Sequence, residues 1–321
     1  MMLNKHWCFF STARNDRLLF QRIISEIDVS QKTVHYFRVK PQLCSIEDTS
    51  LIVSWGSGLD SSISTVANSL GIPVCYVENG YLPNTLNFDT DGVNYSSTLA
   101  NMGHEAFLSM IQSMSIDKQK LEEMYHEPFV QLGPIAVPSD DCDDIKPLPK
   151  PYIFVPLQCR HDGNMTHYAN GFTNESFVQF VVDNLPPGYS LVVKEHPGDM
   201  GRVDYTDFRA SLPKDIPIQW RKMYRADFLL KHCTELWTIN GSLVVEAMRT
   251  QKPVRVYGQS VFAPFANNGY DHNTVERFLY YLRWHYSIPI NAAGEGNEGR
   301  RVAIKRLKEI ADGNLAWLNV S

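Results

Sequence analysis

The sequence has no uninterrupted apolar stretch close to the roughly 20 residues that a bilayer-spanning helix requires. Its first residues lack the pattern of a signal peptide, and its six cysteines are scattered without a CxxC pair. This usage favours buried free thiols in a reducing cytoplasm over a disulfide or zinc framework. A basic excess is missing as well, because the formal net charge is −5, which argues against a general nucleic-acid binder. We therefore expect a globular cytoplasmic protein with no nucleic-acid partner.

Two common nucleotide-binding signatures are also absent. Without GxxxxGK(S/T) the sequence predicts no ATPase loop of that type, and without GxGxxG it predicts no nicotinamide cofactor. No His, Cys, Asp or Glu cluster has convincing metal-ligand spacing. Four aspartates, Asp140, Asp141, Asp143 and Asp144, lie in a proline-rich stretch, which favours a solvated segment over a calcium site. We expect neither a metal nor an organic cofactor.

What the sequence does contain is strand–helix alternation, which occurs twice. Strand-like runs such as HWCFFST and SLIVSW alternate with helix-like runs such as DRLLFQRIISEI. The prolines and aspartates of Pro134–Pro151 predict a linker, after which YIFVPLQ restarts the alternation. This order predicts an α/β protein with two Rossmann-like lobes, whose parallel sheets face a central cleft. In such sheets ligands bind beyond the carboxyl ends of the strands, so motifs at strand ends are candidate site residues.

Two of these motifs supply acids. In YVENGYLP, Glu78 comes directly after a strand, where its carboxylate either faces the cleft or serves as a turn acid or helix cap. In IFVPLQCRHDGNM, the first strand of the second lobe is followed by Gln158, Arg160, His161 and Asp162. A loop at that place usually faces ligand, and a solvated loop stays open as the alternative.

The third motif, SLVVKEHPGDM, ends a buried strand in Lys194, Glu195 and His196. Because side chains alternate along a strand, Lys194 and His196 share one face. An ammonium and an imidazole on one face suit an anionic group such as a phosphate. The alternative is a salt-bridged strand end.

In the fourth motif, WTINGSLVVEAM, a strand passes through Asn240, Gly241 and Ser242 into a helix. Free N–H groups at a helix start attract anions, and the Ser242 hydroxyl adds a hydrogen bond. Glu246 is expected to face the same side of the first turn. Alone, this pattern also fits a simple serine cap on a buried helix. Together, the third and fourth motifs predict a phosphate-binding wall in the second lobe.

Four blocks, in order, resemble the bacterial capsule polysaccharide biosynthesis family, which includes the retaining β-Kdo transferases of capsule and lipopolysaccharide assembly. They are VENGYLPNTLNFDTDGVNYSS, YIFVPLQ, VVKEHPG and ELWTINGSLVVEAMRTQKPVRVYG, and the resemblance spans residues 74–262. It implies a GT-B fold, CMP-β-Kdo as the donor and a two-step retaining reaction. The sequence departs from many members at Asn79, where they have Asp, and at Tyr81-Leu82-Pro83, where they have FIR. The identity of the acceptor therefore stays open.

The resemblance implies roles for individual residues. Glu78 falls on the acid of the ENG block, and Asp162 falls on the aspartate that follows the strand. His196 falls on the histidine of the His-Pro motif, and Ser242 falls on the serine at the helix start. Departing CMP carries negative charge, which fixed positive groups stabilise. Double displacement needs a carboxylate nucleophile, assigned to Asp162, and a base for the acceptor hydroxyl, assigned to Glu78.

Further residues are expected to hold the two substrates. The expected donor-binding residues are Lys194, His196, Asn240, Gly241, Ser242, Glu246, Gln158 and Arg160. Among them, Arg160 is expected to pair with the carboxylate of the transferred sugar. The expected acceptor-binding residues are Asn79, Tyr81, Asp89 and Asp91. For Asp91, a turn role with the following glycine fits equally well.

We expect an acceptor lobe at 1–145, a nucleotide-sugar lobe at 150–300 and a closing helix at 301–321 that packs back across the lobes. Expected partners are the nucleotide sugar, an oligosaccharide or lipid-linked glycan acceptor, and other capsule or lipopolysaccharide transferases. Trp317 and Leu318 leave a peripheral contact with the inner membrane open. Three other functions also stay open: an inverting CMP-sialic acid-dependent sialyltransferase, a non-catalytic GT-B scaffold of capsule assembly, and a sugar-nucleotide epimerase.

Overall fold

A computed structural model describes residues 6–28, 30–39, 44–57, 59–126, 129, 146–290, 297–315 and 318. The chain divides into two compact units: unit 1 comprises 1–124 and 277–321, and unit 2 comprises 125–276. The expected boundaries differ from these units, because the chain returns to unit 1 at residue 277 rather than near residue 300. Most of the predicted linker, with its four aspartates, lies outside the described residues.

The helices and strands alternate along most of the chain. Up to residue 126 they are β1 (His6–Ser11), α1 (Arg14–Ile24), β2 (Thr33–Phe37), β3 (Thr49–Trp55), α2 (Ser61–Leu70), β4 (Val74–Asn79), β5 (Thr85–Asp89), α3 (Thr98–Asn101), α4 (His104–Ser113) and α5 (Lys118–His126). From residue 152 they are β6 (Tyr152–Pro156), α6 (Gly163–Tyr168), α7 (Asn174–Asp183), β7 (Ser190–Lys194), α8 (Thr206–Ser211), β8 (Ile218–Arg221), α9 (Ala226–His232), β9 (Glu235–Thr238), α10 (Leu243–Arg249), β10 (Val254–Val256), α11 (Ala263–Asn267), α12 (His272–Tyr281), β11 (Ser287–Pro289) and α13 (Asn297–Ala311). A π-helical turn, Leu282–Tyr286, follows α12.

Unit 1 has a sheet with the order β11-β5-β4-β3-β1-β2. Strands β1 to β4 run parallel to one another. Strand β5 pairs antiparallel with β4, and β11 pairs antiparallel with β5 at the edge of the sheet. On one face of the sheet, Cys8 and Ile52 pack against Ile63 and Ala67 of α2. These two helical residues are four positions apart, so they lie on one face of α2. The first half of the predicted alternation is therefore confirmed.

Unit 2 has an all-parallel sheet with the order β10-β9-β6-β7-β8. Its first strand, β6, lies in the centre; β7 and β8 follow on one side, and β9 and β10 on the other. The strand order therefore reverses between β6 and β9. In open α/β sheets, the crevice for a ligand lies at such a reversal, outside the carboxyl ends of the strands.

The core of unit 2 explains the long apolar runs in its sequence. Strands β6 and β7 are buried on both faces, so residues such as Phe154 and Val192 are inaccessible to solvent. On one face, Val155 and Val193 pack with Phe177 and Val181 of α7. The helical pair is again four positions apart. This core fixes the ends of β6 and β7, from which two of the sequence motifs emerge.

Three strands were not predicted from the sequence: β5, β8 and β11. Strand β8 has four residues, with Gln219 and Arg221 among them, and β11 has only three. Strand β5, TLNFD, is fully buried although three of its five residues are polar. These segments are too short or too polar to show the alternation that identifies a strand.

Helix α13 closes unit 1. Its residues Ala303, Leu307 and Ile310 are buried, and Arg300 forms an ion pair of 3.0 Å with Glu26. At Gly299, a Cβ would overlap the carbonyl oxygen of Pro289, so only glycine allows the observed approach to β11. Leu318 is buried, whereas Trp317 lies outside the described residues.

The cysteines in the described part of the chain, Cys8, Cys44, Cys75, Cys159 and Cys233, are free thiols. Cys142 lies outside the described residues. Within the described ranges, no helix is both long and apolar enough to cross a membrane.

Candidate functional site

A cavity of about 530 Å³ lies at the carboxyl ends of β6, β7 and β8, next to the start of α10. The residues that line it are Pro156, Leu157, Gln158, Lys194, Glu195, His196, Pro197, Met200, Lys222, Met223, Tyr224, Arg225, Ala226, Asp227, Gly241, Ser242 and Leu243. Much of the wall is apolar or aromatic, and the charged residues include three basic side chains against two carboxylates. Such a lining suits a ligand that combines an anionic group with a flat or apolar part.

His196 lies in the wall, at the turn after β7. Its Nδ1 accepts a hydrogen bond of 3.0 Å from the Gly198 N–H. Burial lowers the pKa of the imidazole; the carboxylates of Asp199 and Asp162 oppose this shift, and the Lys194 ammonium adds to it. His196 is therefore neutral near pH 7 with its proton on Nε2, which can donate a hydrogen bond to a ligand.

Lys194 lines the cavity but is largely buried. Its Nζ donates to the carbonyl oxygens of Glu195, at 3.0 Å, and Lys222, at 3.3 Å. Its neighbour Glu195 accepts a hydrogen bond of 2.6 Å from the Trp220 Nε1–H. The Lys194 ammonium is thus a fixed positive charge in the wall, held by the backbone of two strand ends.

The loop after β6 is held by two buried side chains that the sequence patterns did not single out. Asn174 binds the backbone of Gln158 on both sides, accepting from its N–H at 3.1 Å and donating to its carbonyl at 2.8 Å. Asp199, 3% exposed, accepts the Arg160 N–H at 2.9 Å and the Cys159 Sγ–H at 3.4 Å. These contacts fasten the β6 loop to α7 and to the turn that carries His196.

Asp162 caps the short helix α6. Its Oδ1 accepts the Asn164 N–H at 2.8 Å, and its backbone carbonyl accepts the N–H groups of Met165 and Thr166. The side chain is exposed. Its carboxylate also acts electrostatically on the His196 imidazole. The structure therefore brings Asp162 near the histidine of the cavity wall, in a fixed orientation at a helix start.

The turn after β9 brings Gly241 and Ser242 into the wall. A Cβ on Gly241 would overlap Nε2 of Gln158, so glycine allows the β6 and β9 loops to meet there. Ser242 occupies the cap position of α10, but its side chain makes no capping hydrogen bond and is exposed. Asn240, before them, is buried and donates to backbone carbonyls of α6.

Gly258, just after β10, sets how closely α6 approaches this turn. A Cβ there would lie 2.8 Å from the Tyr168 carbonyl oxygen and 2.9 Å from Cγ2 of Ile239. We expect Gly258→Ala to lower the free energy of unfolding by about 1–3 kcal/mol, because the backbone of α6 must move. Urea denaturation measures this loss. At Gly163 an added Cβ meets nothing within 4 Å, so Gly163→Ala is the control and should leave the midpoint unchanged; equal midpoints for both variants would contradict the prediction.

Two expected donor-binding residues point elsewhere. Arg160 forms an ion pair with Glu175 and lies over the Tyr205 ring at 5.6 Å, outside the cavity lining. Glu246 is 6% exposed and binds Arg249 at 2.7 and 2.8 Å. Its Oε2 also accepts the Phe129 N–H at 2.7 Å. In this structure internal partners therefore engage the side chains of both Arg160 and Glu246.

In unit 1, Glu78 lies at the carboxyl end of β4, as expected. Its Oε1 accepts hydrogen bonds from the Asn79 N–H at 2.8 Å and from the Asn79 side chain at 3.3 Å. Gly56, directly after β3 and with φ +62, lies next to this carboxylate: a Cβ added to Gly56 would be 3.4 Å from Oε2 of Glu78. The Glu78 carboxylate thus lies at the carboxyl ends of β3 and β4, within van der Waals range of position 56.

Two other expected acceptor contacts belong to the interior of unit 1. Tyr81 is 8% exposed and stacks on Tyr286. Asp89 is 1% exposed and accepts hydrogen bonds from Thr98, from the Asp91 N–H and from the Tyr286 hydroxyl. Burial raises the pKa of Asp89, and these hydrogen bonds oppose the shift. The hydrogen bonds of Asp89 organise the loop after β5, and Asp91 remains exposed on it.

The segment after β8 was not predicted from the sequence to be part of the site. Lys222, Tyr224 and Arg225 line the cavity, and Arg225 pairs with Asp227. The guanidinium of Arg221 lies 4.9 Å from the centre of the Tyr224 ring and supports it from within. Had β8 been recognised as a strand, the rule about strand ends would have led to these residues. In the described part of the chain, no group of three or more His, Cys, Asp or Glu side chains could hold a metal.

Comparison with known protein families gives a match to part of the chain. Residues 139–269 match the family model described as capsule polysaccharide biosynthesis protein. The resemblance predicted from the sequence is confirmed over this segment. Every residue that lines the cavity lies within it. No curated protein matches the chain.

Two solved structures share the fold over nearly the whole chain. KpsC β-Kdo 2,7 transferase from Thermosulfurimonas dismutans has a TM-score of 0.60 and 15% identity, over 94% of this chain and 98% of that chain. KpsC β-Kdo 2,4 transferase from the same organism has a TM-score of 0.59 and 20% identity, with the same coverage. At these identities the likeness shows the fold alone. The predicted α/β fold of GT-B type, with two Rossmann-like units, is confirmed.

Proposed function

We propose that this protein is a glycosyltransferase that transfers Kdo from CMP-β-Kdo to a bacterial surface glycan with retention of configuration. The observation that carries the proposal is the cavity of unit 2. It lies at the reversal of the parallel sheet, has basic groups beside apolar and aromatic walls, and falls within the segment that matches the capsule family. The two structures that share the fold are both named as β-Kdo transferases. The proposal involves no metal or organic cofactor.

The cavity is proposed to hold the cytidylate part of the donor. The neutral His196 donates its Nε2–H to a phosphate oxygen, since Nδ1 is occupied by the Gly198 N–H. The buried Lys194 ammonium adds a fixed positive field beside it. Positive groups fixed in advance stabilise the charge that develops on CMP as it leaves, and they need no rearrangement. The ring of Tyr224 and the side chain of Leu243 supply apolar surface for the nucleoside.

Asp162 is proposed to be the nucleophile. A carboxylate oxygen attacks the anomeric carbon as the bond to the phosphate oxygen breaks, and CMP leaves with the bonding electrons. Its place at the start of α6 orients the carboxylate, because Oδ1 accepts the Asn164 N–H at 2.8 Å. The sugar is then held as an ester of inverted configuration.

Glu78 is proposed to complete the reaction as the base. It accepts the proton of the acceptor hydroxyl while that oxygen attacks the anomeric carbon and releases Asp162. The second inversion restores the original configuration, so the overall transfer retains it. The acceptor is proposed to be an oligosaccharide or a lipid-linked glycan in the cytoplasm or at the inner face of the membrane. We assign recognition of the acceptor to unit 1, in which Asn79 and Asp91 are exposed polar residues.

The direct test is incubation with freshly generated CMP-Kdo and a panel of bacterial surface oligosaccharides. NMR of the product gives the configuration of the new bond. A β-linked Kdo supports the proposal. An inverted linkage would instead indicate a single-displacement enzyme, as in an inverting sialyltransferase. Binding of CMP without transfer to any acceptor would favour the scaffold, and stabilisation by UDP rather than CMP would favour an epimerase.

His196→Ala is expected to weaken the affinity for CMP by roughly tenfold to a hundredfold, because a hydrogen bond to a charged group is lost. Isothermal titration calorimetry with CMP measures this effect. His232→Ala is a matched control: this histidine ends α9, packs on Phe228 and does not line the cavity. Unchanged CMP affinity in His196→Ala, or an equal loss in His232→Ala, would remove His196 from the phosphate contact.

A further inference from the structure

Asn240 joins the strand β9 to the helix α6. The side chain is 3% exposed. Its Nδ2 donates to two carbonyl oxygens of α6, that of Asn164 at 3.0 Å and that of Tyr168 at 3.1 Å. One of these carbonyls lies in the first turn of the helix and the other at its last residue. A single side-chain amide therefore bonds to α6 near both ends of the helix and connects it to the end of β9.

The orientation of this amide is fixed by its partners. Both neighbouring groups are carbonyl oxygens, so the Nδ2 donor has to face them and Oδ1 has to face away. Oδ1 is buried and has no hydrogen-bond partner among the described residues. A buried acceptor without a partner costs stability, and such a group in a folded protein calls for an explanation. The geometry explains it by the two hydrogen bonds from Nδ2 to α6, here called the clamp, which fix the amide in this orientation.

Helix α6 depends on this clamp more than a longer helix would. It has six residues, and none of them is buried. A helix of this length does not persist through its own hydrogen bonds, and its position has to come from contacts with the rest of the protein. Asn240 supplies two such contacts, from a strand end that the sheet holds rigidly.

The clamp reaches Asp162 through one residue. Asn164 accepts the Asn240 amide with its carbonyl, while its N–H donates to Oδ1 of Asp162 at 2.8 Å. We infer that Asn240 is a positioning residue, which sets the place of the Asp162 carboxylate through α6 rather than contacting the donor itself. The inference rests on the proposed role of Asp162 and replaces the donor contact expected for Asn240 from the sequence.

Asn240→Ala tests this inference with two readouts. Kinetics with CMP-Kdo should show kcat reduced roughly a hundredfold, since small displacements of a reacting group have costs of that order, with the donor KM and the CMP dissociation constant unchanged. Amide exchange should accelerate at Met165 and Thr166, whose N–H groups donate to the Asp162 carbonyl. A purely structural role would not separate kcat from KM in this way.

Asn170→Gly is the matched control. Asn170 also ties α6 to the body of unit 2, because its Nδ2 donates to the Tyr257 carbonyl at 2.7 Å, and its φ of +52 suits glycine. It follows the last turn, and this hydrogen bond leads to Tyr257 rather than to Asn164, so the variant should keep kcat. If Asn240→Ala weakens CMP binding instead of kcat, or leaves both kcat and amide exchange unchanged, the inference is wrong.

Failure of the proposed function would look different. Amide exchange needs no substrate, so faster exchange in Asn240→Ala together with a wild-type protein that transfers no sugar would leave the clamp in place and overturn the catalytic role of Asp162. A wild-type protein that transfers sugar, with a variant of unchanged kcat, would leave the function in place and overturn the positioning role.

Discussion

Asp162→Asn is expected to lower the rate of sugar transfer by roughly a thousandfold or more, because an amide oxygen cannot form the glycosyl ester. The substitution suits the site, since asparagine caps helices as well as aspartate does and its Oδ1 can still accept the Asn164 N–H. Both α6 and the cavity should therefore keep their structure. Transfer is measured from CMP-Kdo, and CMP affinity by calorimetry should remain within about twofold of wild type.

Asp60→Asn provides the control for this substitution. Asp60 caps α2 in unit 1, where it accepts the Ser62 N–H at 2.9 Å, almost the same geometry as at Asp162. The control removes one carboxylate from a helix cap of the same kind and should transfer sugar at the normal rate. Normal turnover in Asp162→Asn would show that Asp162 is a helix cap only, and the nucleophile would have to be sought elsewhere.

Glu246→Gln is expected to lower the free energy of unfolding by about 3–5 kcal/mol, because it leaves the largely buried Arg249 without a counter-charge. Arg249 is held further by the Tyr125 carbonyl at 2.9 Å, and Glu246 also accepts the Phe129 N–H at 2.7 Å. The pair thus fastens the segment that enters unit 2 to α10. Urea denaturation, followed by tryptophan fluorescence, measures the loss.

The double variant Glu246→Gln/Arg249→Met separates charge from packing. It removes the unpaired guanidinium and keeps an acceptor for the Phe129 N–H, so most of the lost stability should return. The result also decides between two roles for Glu246. A normal urea midpoint with weakened CMP binding in the single variant would restore the donor contact expected from the sequence and contradict the internal role that the structure gives it.

The parts of the fold that could be predicted are those whose sequence shows a period or an unbroken apolar run. Strands β6 and β7 are buried on both faces, which leaves continuous runs such as YIFVP and SLVVK. Strand β8 could not be predicted, because its four residues at the sheet edge, Ile218–Arg221, mix apolar and polar side chains. Because β8 was not predicted, Tyr224 and Arg225, which come after it and line the cavity, were not predicted as site residues.

The candidate site could be predicted as far as the ends of strands, and no further. The rule about strand ends brought Lys194, His196 and Gly241 to one cavity, as the structure shows. It could not tell which polar side chains have partners inside the protein. Glu246 finds Arg249 on its own helix, whereas Asp89 finds Tyr286 from a distant segment. The Asp89 partnership depends on packing between elements, which no local pattern records, whereas the Glu246–Arg249 pair has the i, i+3 spacing of a helix surface pair.

The central claim is that the cavity of unit 2 binds cytidylate, and amide-exchange mapping with and without saturating CMP tests it most directly. We predict slower exchange in the cavity segments 156–158, 194–200, 222–227 and 241–243, with the backbone of unit 1 unchanged. Unchanged exchange in all four segments at saturating CMP, or protection confined to unit 1, would contradict the account.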